Sequence, residues 1–483
     1  MVVEEYEVAK CLQHLRTKRS TTPIDLPIKL YKEFYPELSK PLCSIINASL
    51  KQAKCPTAWK TSFVSPIPKK SNPSSLNELR PIAITPIPSL ICESFVFQWA
   101  YTDIAPFIDP QQFGNIKASS TTHCLVSLLD YIYKCLEQRK TAVALTFVDF
   151  TKAFDLVNHT VIIEKAIKLG MRESLVAWLA DFLNNRQQRV RFRLSTSSPK
   201  ALTCGVPQGT KMGPLCFLLL INDALRETPN RWKYVDDSTI AADINTNNPD
   251  FSQLQNTIDG LQQWTITNDV TINATKTVVM YINLGKGTNA TPPVITLGPT
   301  TLQVVNKSKL LGVTIDDELN WKVHVSNVIK SATYRLYLLR RLKSLGFPPT
   351  ELKYIYSVFI LPKLTYASPA WSSSLTNTQK DSLEKVQKRA CKIILSTSYT
   401  SYEVALHTLN LPSLSDTYQQ NLTRFGLNLL NHPRHHNLLP SLAPQPSRAA
   451  RHYNLLTPIR ARTDRYKHSP IPTIVNIINT STL

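Results

Sequence analysis

The chain has 483 residues, which is long for one ordinary domain, so two or three compact units are expected. Apolar residues make up 43% of it, enough to build hydrophobic cores, and this excludes a wholly disordered protein. Lysine and arginine total 55 against 34 acidic residues, a formal net charge of +21. This excess favours nucleic acid or an anionic membrane as partner, although a basic protein with a merely solvated surface would carry the same charge.

The cysteines and the apolar segments bear on the cellular compartment. The nine cysteines show no CxxC spacing and mostly lie in apolar runs, as buried free thiols do, which favours a reducing environment. The start of the chain carries acidic residues and no long apolar core, so no signal peptide is expected. The apolar run 215–221 is far shorter than the roughly 20 residues that cross a bilayer. We therefore expect an intracellular protein of the cytoplasm and nucleus, with nucleic acid and no membrane as partner.

The first part of the chain is predicted to begin with helices and to continue in short extended pieces. Residues 1–45 carry helical patterns that prolines interrupt. Prolines recur so often over 56–88 that a long helix is excluded there. Residues 119–139 begin with hydroxyl-bearing caps and place leucine and isoleucine on one face, which predicts an amphipathic helix.

A strand with an acidic end follows this helix. TAVALTFVDF at 141–150 is a β-rich apolar run, which predicts a buried strand with Asp149 at its tip. Two helices are predicted over 158–186, and the alternation of QRVRFRL at 188–194 predicts a strand. An apolar helix is predicted over 214–225, after a loop rich in glycine and proline.

A second acidic site lies in WKYVDDSTIAA at 232–242. Two short apolar arms surround Asp236 and Asp237, which predicts a hairpin with the acids at its turn. Phe251 begins a further helical pattern, and a short strand is predicted over 277–282. Strands and helices therefore alternate through this part of the chain.

Beyond Trp321 the pattern predicts helices only, at 322–345, 350–361 and 377–395. The alternation before Trp321 and the helices after it indicate an α+β fold followed by a helical region. The stretch 431–483 is rich in proline, asparagine and arginine, which favours a basic, loosely ordered tail. Three histidines of this stretch lack cysteine partners and are expected at the surface: His432, His435 and His436.

Asp149 and the pair Asp236 and Asp237 are candidate metal ligands because each site ends a strand-like apolar run. Hard cations such as Mg²⁺ take oxygen ligands from two or more carboxylates on rigid supports. Two such cations serve nucleotidyl transfer, one by lowering the pKa of the attacking hydroxyl and one by neutralising the triphosphate. The two sites can meet if their strands are neighbours. By itself, an Asp-Asp pair in a turn is more often a hairpin device than a metal site.

Between the acidic sites lies the loop GVPQGTKMGPL at 205–215, with three glycines and two prolines ahead of an apolar helix. Glycine lets the backbone approach a phosphate or a base pair closely. Gln208 is placed to reach an incoming nucleotide. An ordinary strand-to-helix loop would explain any one of these glycines, but it fits the whole string poorly.

In this order the motifs resemble the reverse transcriptases of non-LTR (LINE-type) retrotransposons, and among them the jockey-like group. The resemblance covers roughly residues 5–430. Its seven motifs are RPIAIT at 80–85, QQFGNIKASSTTHCL at 111–125, FVDFTKAFDLVNH at 147–159, GVPQGTKMGPLCFLLLINDAL at 205–225, YVDDSTI at 234–240, NATKT at 273–277 and KLLGVTID at 309–316. Seven motifs in the right order are very improbable by chance.

The resemblance implies an RNA-directed DNA polymerase with the right-hand fold of fingers, palm and thumb. Such an enzyme extends a DNA primer on an RNA template with dNTPs and two Mg²⁺ ions, which Mn²⁺ can replace. The implied segments are an N-terminal helical extension at 1–45, fingers and palm at 46–320, a helical thumb-like region at 321–430 and the basic tail at 431–483. Nothing in the sequence indicates an oligomeric state.

The resemblance also assigns roles to site residues. The two metals would be held by the catalytic residues Asp149, Asp236 and Asp237. The other matches are a gate against the ribose 2′-hydroxyl at Phe154, a triphosphate grip at Lys69, Lys70 and Arg80, nucleotide contacts at Gln208 and Gly209, a leaving-group acid at Lys276 and a primer hairpin at Leu311 and Gly312.

Each of these roles has a plainer alternative. A phenylalanine at 154 can be a core residue, and the lysines can be solvated. The functional interpretation is favoured for Phe154, Arg80 and Gln208, and it is evenly balanced for the lysines. Asp155 is expected only to cap the following helix.

Departures from the family pattern leave a second hypothesis open. No endonuclease domain is expected ahead of the polymerase, STTPIDLP at 20–27 lacks both glycines of the usual form, and Thr210 and Lys211 replace a small and an apolar residue. These changes fit a truncated or decaying copy, so a catalytically inactive or domesticated remnant that only binds nucleic acid is the alternative. A viral RNA-dependent RNA polymerase would share the two-metal palm, but YVDD and the bulky Phe154 favour deoxynucleotides.

Overall fold

The computed structural model describes residues 1–16, 22–23, 25–285, 292–444 and 455–480. Its α-helices are α1 Glu5–Gln13, α2 Ile28–Glu33, α3 Tyr35–Gln52, α4 Ile87–Ile104, α5 Thr121–Glu137, α6 His159–Lys168, α7 Glu173–Leu183, α8 Met212–Ile221, α9 Ser252–Thr267, α10 Lys322–Ser344, α11 Pro349–Ile355, α12 Leu361–Thr365, α13 Asn377–Leu395, α14 Tyr402–Leu409, α15 Leu414–Leu430, α16 Asp464–Lys467 and α17 Pro470–Thr480. Its strands are β1 Thr61–Pro68, β2 Leu79–Ile84, β3 Thr141–Val148, β4 Arg186–Phe192, β5 Ser195–Thr196, β6 Lys200–Leu202, β7 Arg231–Tyr234, β8 Asp237–Asn245, β9 Val278–Ile282, β10 Thr296–Leu297, β11 Thr300–Thr301, β12 Gln303–Val304, β13 Lys307–Leu310 and β14 Val313–Asp316. Within these ranges, no helix combines the length and the apolar character needed to cross a membrane.

The chain forms two compact units, and the mixture of helices and sheets confirms the α+β class. The first unit contains Met1–Asn115, Asp149–Pro229 and Asp259–Asn273. The second contains Ile116–Val148, Asn230–Ile258 and Ala274–Leu483. The segment boundaries expected at 45, 320 and 430 coincide with no edge of either unit, so they stay a prediction about functional segments.

The first unit is built around a sheet with the strand order β2-β1-β4-β5, in which β6 also pairs with β4. β1 and β2 are antiparallel, with Pro66 opposite Pro81, whereas β1 and β4 are parallel. These are the short extended pieces that the prolines of this region predict. Helix α8 is buried at every position except Pro214 and packs against α4 and α6, as expected for a helix that is apolar all round.

The second unit contains a sheet with the strand order β12-β9-β3-β8-β7. Strand β3 lies at its centre and pairs antiparallel with both β8 and β9. Every residue of β3 after Thr141 is buried, and α5 packs against it. The predicted buried strand at 141–150 and the amphipathic helix at 119–139 are therefore confirmed, to within two residues at their ends.

The helices predicted beyond Trp321 are largely confirmed. α10 and α13 match the predicted ranges and pack against each other. A capping box formed by Thr376 and Gln379 fixes the start of α13. The single helix expected at 350–361 is instead divided, because a π-helical turn, Tyr356–Ile360, separates α11 from α12, and Pro362 stands in the first turn of α12.

The expectation of a loosely ordered tail over 431–483 is wrong for its last described part. Helix α17 packs against α15 and α5, and its Ile474 and Ile478 are buried. An added Cβ on Gly426 of α15 would lie only 2.6 Å from Ile474 Cγ2, so the two helices approach closely at this glycine. The apolar run IPTIVNII explains this packing. The composition of the whole stretch is polar, so it did not predict a packed helix.

Two of the three histidines of the same stretch also depart from the expectation of surface positions, whereas His436 is exposed as expected. His432 and His435 are buried, and their rings stack with a centroid distance of 4.6 Å. The buried ring of His123 lies 4.9 Å from His432 and 4.8 Å from His435. His432 Nε2 lies 3.0 Å from the Ala118 carbonyl oxygen, and His435 Nε2 lies 2.9 Å from Ser119 Oγ. These contacts tie residues separated by more than 300 positions within the second unit.

Burial makes this cluster sensitive to acid. Desolvation lowers the pKa of His123 to about 4 and, together with the charges of the neighbouring His123, His432 and Arg434, lowers the pKa of His435 to about 3. An unfolded histidine titrates near 6.5. Between these values the unfolded state binds more protons than the folded state, so stability falls as the pH drops below about 6.5.

We predict that moving from pH 7 to pH 5 lowers the melting temperature of the second unit, at a cost on the order of 1–2 kcal/mol for each of the two rings. His435→Gln should flatten this pH dependence because it removes one shifted group. His407→Gln, which replaces an exposed histidine of α14, is the control and should leave it unchanged. Thermal melts followed by circular dichroism across this pH range measure the effect, and equal slopes in both variants would contradict the assignment.

Candidate active site

The predicted acidic hairpin is present in the second unit. β7 and β8 pair with Tyr234 opposite Asp237, so Val235 and Asp236 form a two-residue turn. Val235 has a φ of +62°, which is unusual for a β-branched residue. Such strain persists only where the surrounding structure enforces it, and it is concentrated at functional sites.

The register of the central strand relates the hairpin to the other acidic motif. Val148, the last residue of β3, lies opposite Ser238, the residue that follows Asp237. The chain continues from Val148 directly to Asp149, whose carbonyl oxygen accepts a 2.7 Å hydrogen bond from the Asn273 amide in the first unit. Among the described residues, no three His, Cys, Asp or Glu side chains converge as a ready-made metal cage.

The glycine-rich loop at 205–215 lies against the backbone of its own unit. Gly205 has a φ of +76°, and a Cβ there would lie 2.3 Å from the Asp155 carbonyl oxygen. Gly209 has a φ of +130°, and a Cβ there would lie 2.4 Å from the Ala83 carbonyl oxygen. The Val206 amide donates a 2.9 Å hydrogen bond to the Phe154 carbonyl. Both glycines are therefore required by close approach and by backbone conformation.

Gln208 joins this loop to two other predicted motifs. Its carbonyl oxygen accepts a 2.7 Å hydrogen bond from the Ala83 amide, and its side-chain Nε2 donates a 2.8 Å hydrogen bond to Asp155 Oδ1. The structure thus brings 80–85, 149–159 and 205–215 together in the first unit. Asp155 was expected only to cap the next helix, but that cap is Asn158, whose side chain accepts from the Thr160 amide. Sequence offered no signal for the pairing of Asp155 with Gln208.

The ring of Phe154 is half-buried and stacks on Phe217 of α8, with the ring centroids 4.8 Å apart. One part of the ring therefore packs in the core while another part stays accessible. This placement is compatible with a gate and equally with a core residue, so the gate stays a prediction.

A buried carboxylate holds the other end of the loop. Glu93 of α4 is completely buried and accepts hydrogen bonds from the amides of Lys211 (2.7 Å) and Met212 (3.4 Å) at the start of α8, and from Ser89 Oγ (2.8 Å). Desolvation raises the pKa of Glu93, while these hydrogen bonds and the charge of Arg186 oppose the rise. An anion at a helix N-terminus is favourable because the amides there lack partners within the helix. Sequence analysis did not single out Glu93.

The candidate triphosphate-binding residues lie on and beside the β1–β2 hairpin. Lys69 Nζ donates a 2.9 Å hydrogen bond to the Asn77 carbonyl, and Lys70 forms a 2.6 Å ion pair with Glu78. The Lys70 ammonium group lowers the pKa of the Glu78 carboxyl. Arg80 lies in β2 opposite Ile67 and is exposed. Both lysines thus stabilise the loop, and their role towards a nucleotide stays a prediction.

The remaining candidates lie in the second unit. Lys276 is exposed and precedes β9. Leu311 and Gly312 form the two-residue turn between β13 and β14, with φ values of +47° and +88°. Tyr366 Oη donates a 2.9 Å hydrogen bond to the Leu311 carbonyl oxygen. The hairpin is therefore present and held from α12's C-terminal end, while its contact with a primer stays a prediction.

Residues 67–315, slightly more than half of the chain, match the model of the family described as reverse transcriptase (RNA-dependent DNA polymerase). The chain belongs to the reverse transcriptase family. The matched range includes both acidic motifs, the glycine-rich loop and the turn at Leu311 and Gly312. The resemblance inferred from the seven motifs is thereby confirmed at the level of the family.

Curated relatives of the chain are named as RNA-directed DNA polymerases of transposons and mobile elements. The chain is 26% identical to the probable RNA-directed DNA polymerase from transposon BS of Drosophila melanogaster, over 82% of this chain and 45% of that protein. It is 25% identical to the RNA-directed DNA polymerase from mobile element jockey of the same fly, over 81% of this chain and 44% of that protein. A third relative, the probable RNA-directed DNA polymerase from transposon X-element, is 24% identical over 86% of this chain and 46% of that protein. The chain thus spans less than half the length of these reverse transcriptase relatives.

The close approach at Gly209 generates a prediction with a matched control. Gly209→Ala should displace the loop from Ala83 and destabilise the first unit by about 1–3 kcal/mol, because both the positive φ and the carbonyl oppose a side chain. Gly260→Ala lies within α9 with nothing within 4 Å of the added Cβ, so it should be neutral or stabilising by up to about 1 kcal/mol. Urea unfolding compares the two variants, and equal midpoints would show that the loop does not depend on Gly209.

Proposed function

We propose that the chain is the polymerase part of a non-LTR retrotransposon protein and extends a DNA primer on an RNA template by two-metal nucleotidyl transfer. The observation that carries this proposal is the register of β3. Its last residue, Val148, lies opposite Ser238, which follows Asp237, and the chain continues from Val148 directly into Asp149. The family match and the clustering of Phe154, Asp155 and Gln208 around one loop support it.

The carboxylates of Asp149, Asp236 and Asp237 are the groups that would hold two Mg²⁺ ions. Their fit rests on chemistry and position, because carboxylate oxygens are the ligands that hard cations take and the turn between β7 and β8 presents two of them on a rigid hairpin. When bound, such ions supply activation of the primer 3′-hydroxyl and neutralisation of the triphosphate. Mn²⁺ shares the preference for oxygen ligands and can substitute.

In the proposed mechanism the first unit orients the incoming dNTP. Gln208 would contact the nucleotide while its amide group is held by Asp155, so that the side chain is fixed before the substrate binds. Phe154 would close the space beside the sugar, and Arg80 with Lys69 or Lys70 would grip the triphosphate. Lys276, exposed in the second unit, would donate a proton to the pyrophosphate leaving group.

The right-hand assignment is likewise proposed. Fingers and palm would include the two sheets, and the helices from α10 onward would form the thumb-like region. Several basic residues support a nucleic-acid path along α10: Lys330, Arg340, Arg341 and Lys343. The turn at Leu311 and Gly312 would hold the primer end.

Removing one candidate metal ligand tests the proposal. Asp236→Asn should lower primer extension on an RNA template roughly a hundredfold or more, because a metal charge is lost where negative charge develops. Asp243→Asn is the matched control, since Asp243 is an exposed acid on the same strand β8. Extension with dNTPs and Mg²⁺ is measured alongside RNA binding and thermal melts.

Extension by Asp236→Asn at the wild-type rate would refute the site assignment. A wild-type chain that binds RNA and extends no primer, with a normal melting temperature, would favour the inactive or domesticated remnant instead.

Phe154→Val tests the preference for deoxynucleotides. A smaller side chain should admit a 2′-hydroxyl, so kcat/KM for rCTP should rise relative to dCTP, while dCTP use falls modestly through lost packing. Phe217→Leu is the control because it trims the stacked partner in the core. That variant should have a lower melting temperature and a lower kcat/KM for both nucleotides.

If Phe154→Val behaves like Phe217→Leu, Phe154 is a core residue and the case for DNA synthesis loses one of its supports. A changed ratio of rCTP to dCTP at an unchanged melting temperature is the result that the gate requires.

A further inference from the structure

The segment of the first unit that precedes the glycine-rich loop has a one-sided charge. Residues 182–204 contain no aspartate or glutamate, although they carry five lysines and arginines. Three of the arginines are concentrated on β4 and the turn that follows it, namely Arg189, Arg191 and Arg193. Among the described residues, none of these three forms an ion pair. Their charge is therefore not neutralised within the unit.

The same segment exposes apolar side chains. β4 and β5 form a hairpin with Phe192 opposite Ser195, which we call the arginine ribbon (residues 189–196). Val190, Phe192 and Leu194 are 42%, 59% and 103% exposed. The Arg193 guanidinium lies 5.4 Å from the centroid of the Phe192 ring. An aromatic ring beside an unneutralised guanidinium is thus presented to solvent.

The turn of the arginine ribbon has an unfavourable sequence. Arg193 and Leu194 are its two central residues, and Arg193 has a φ of +55°. Asparagine and glycine relieve such a conformation, and a long charged side chain does not. A strained backbone that carries a charged residue to the tip of a hairpin is a reason to look for a ligand there.

We propose that the arginine ribbon is a second nucleic-acid contact, which binds the backbone of single-stranded RNA through its arginines and stacks a base on Phe192. The identity of the occupant rests on the proposed function. Arg189 and Arg191 share one face of β4 about 7 Å apart, because alternate residues of a strand lie on the same face. Phe192 lies on the other face, where the Arg193 guanidinium is beside its ring. The planar guanidinium group matches phosphate geometry, and aromatic rings beside basic groups are how single strands are held without sequence preference.

An anionic membrane is the other surface that arginine and apolar residues could meet. The short turn offers few apolar side chains for insertion, whereas its charge and its exposed ring both suit RNA. We therefore commit to RNA, and vesicle binding becomes an outcome of the test.

The decisive experiment measures the salt dependence of binding to a fluorescent, unstructured, uridine-rich RNA by anisotropy. Replacing Arg189, Arg191 and Arg193 together by glutamine should make the slope of log K against log salt shallower by about 2, because each phosphate contact on a single strand contributes roughly 0.7. The matched control removes the same charge from exposed lysines at α3 and just after it, as Lys40→Gln, Lys51→Gln and Lys54→Gln. Its slope should stay near wild type.

A stacking contact predicts a separate result. Phe192→Leu should weaken RNA binding roughly fivefold or more without changing the salt slope, and Phe192→Trp should retain affinity, because the loss is that of an aromatic face. Circular dichroism melts of each variant show whether the first unit stays folded. Equal binding by Phe192→Leu and wild type would remove the base from the proposal.

Three outcomes overturn the arginine ribbon. The first is an unchanged salt slope in the folded triple arginine variant, and the second is an equal change in the lysine control. The third is unchanged RNA binding together with lost binding to phosphatidylserine vesicles, which would assign the ribbon to a membrane.

Primer extension separates this inference from the proposed function. If the wild-type chain extends a primer while the arginine variant keeps the wild-type salt slope of RNA binding, the proposal for the arginine ribbon is wrong and the proposed polymerase function is retained. If the salt slope changes as expected and the wild-type chain extends no primer, the RNA contact of the arginine ribbon is retained and the proposed polymerase function is wrong.

Discussion

The fold of the second unit depends on the antiparallel pairing of β3, which lies between β8 and β9 at the centre of the sheet. Residues 142–148 are buried without exception, so both faces of the strand are covered by protein. A slip of one residue would move each of these side chains to the opposite face of the sheet and change every packing contact. The hydrophobic core therefore fixes the register of β3 against β8. This register in turn fixes the positions in the sheet at which the chain reaches Asp149 and Asp237.

The elements that sequence predicted well are those whose signal is local. The apolar run before Asp149, the paired arms around Asp236 and the capped helix α13 each carry their pattern within some twenty residues. Helix α17 was missed because an apolar run of eight residues was averaged into a polar stretch six times as long. The burial of His435 was missed because the residues that cover it, including Ser119, are distant in the chain.

The candidate site shows the same division between local and distant information. Gln208 and the glycines of its loop were recognisable because residue type and spacing are visible in the sequence. Asp155 and Glu93 were not, since what distinguishes them is the group that each one contacts across the first unit. In the sequence, a carboxylate just before a helix predicts a helix cap. The pattern is the same whether or not an amide group from another motif donates a hydrogen bond to that carboxylate. Only the folded backbone separates these cases, and it shows two acids that hold the loop by hydrogen bonds.

Gly205 and Gly209 have a consequence for the comparison of related genomic copies. At each position an added methyl group would come within 2.4 Å of a backbone oxygen that belongs to another motif. Neither oxygen can move without disturbing a neighbouring strand or turn, so a side chain is not accommodated by small adjustments. A copy with an open reading frame and intact aspartates, but any other residue at 205 or 209, would still carry a broken loop. These two codons therefore distinguish intact copies from decayed ones in a way that the candidate metal ligands alone do not.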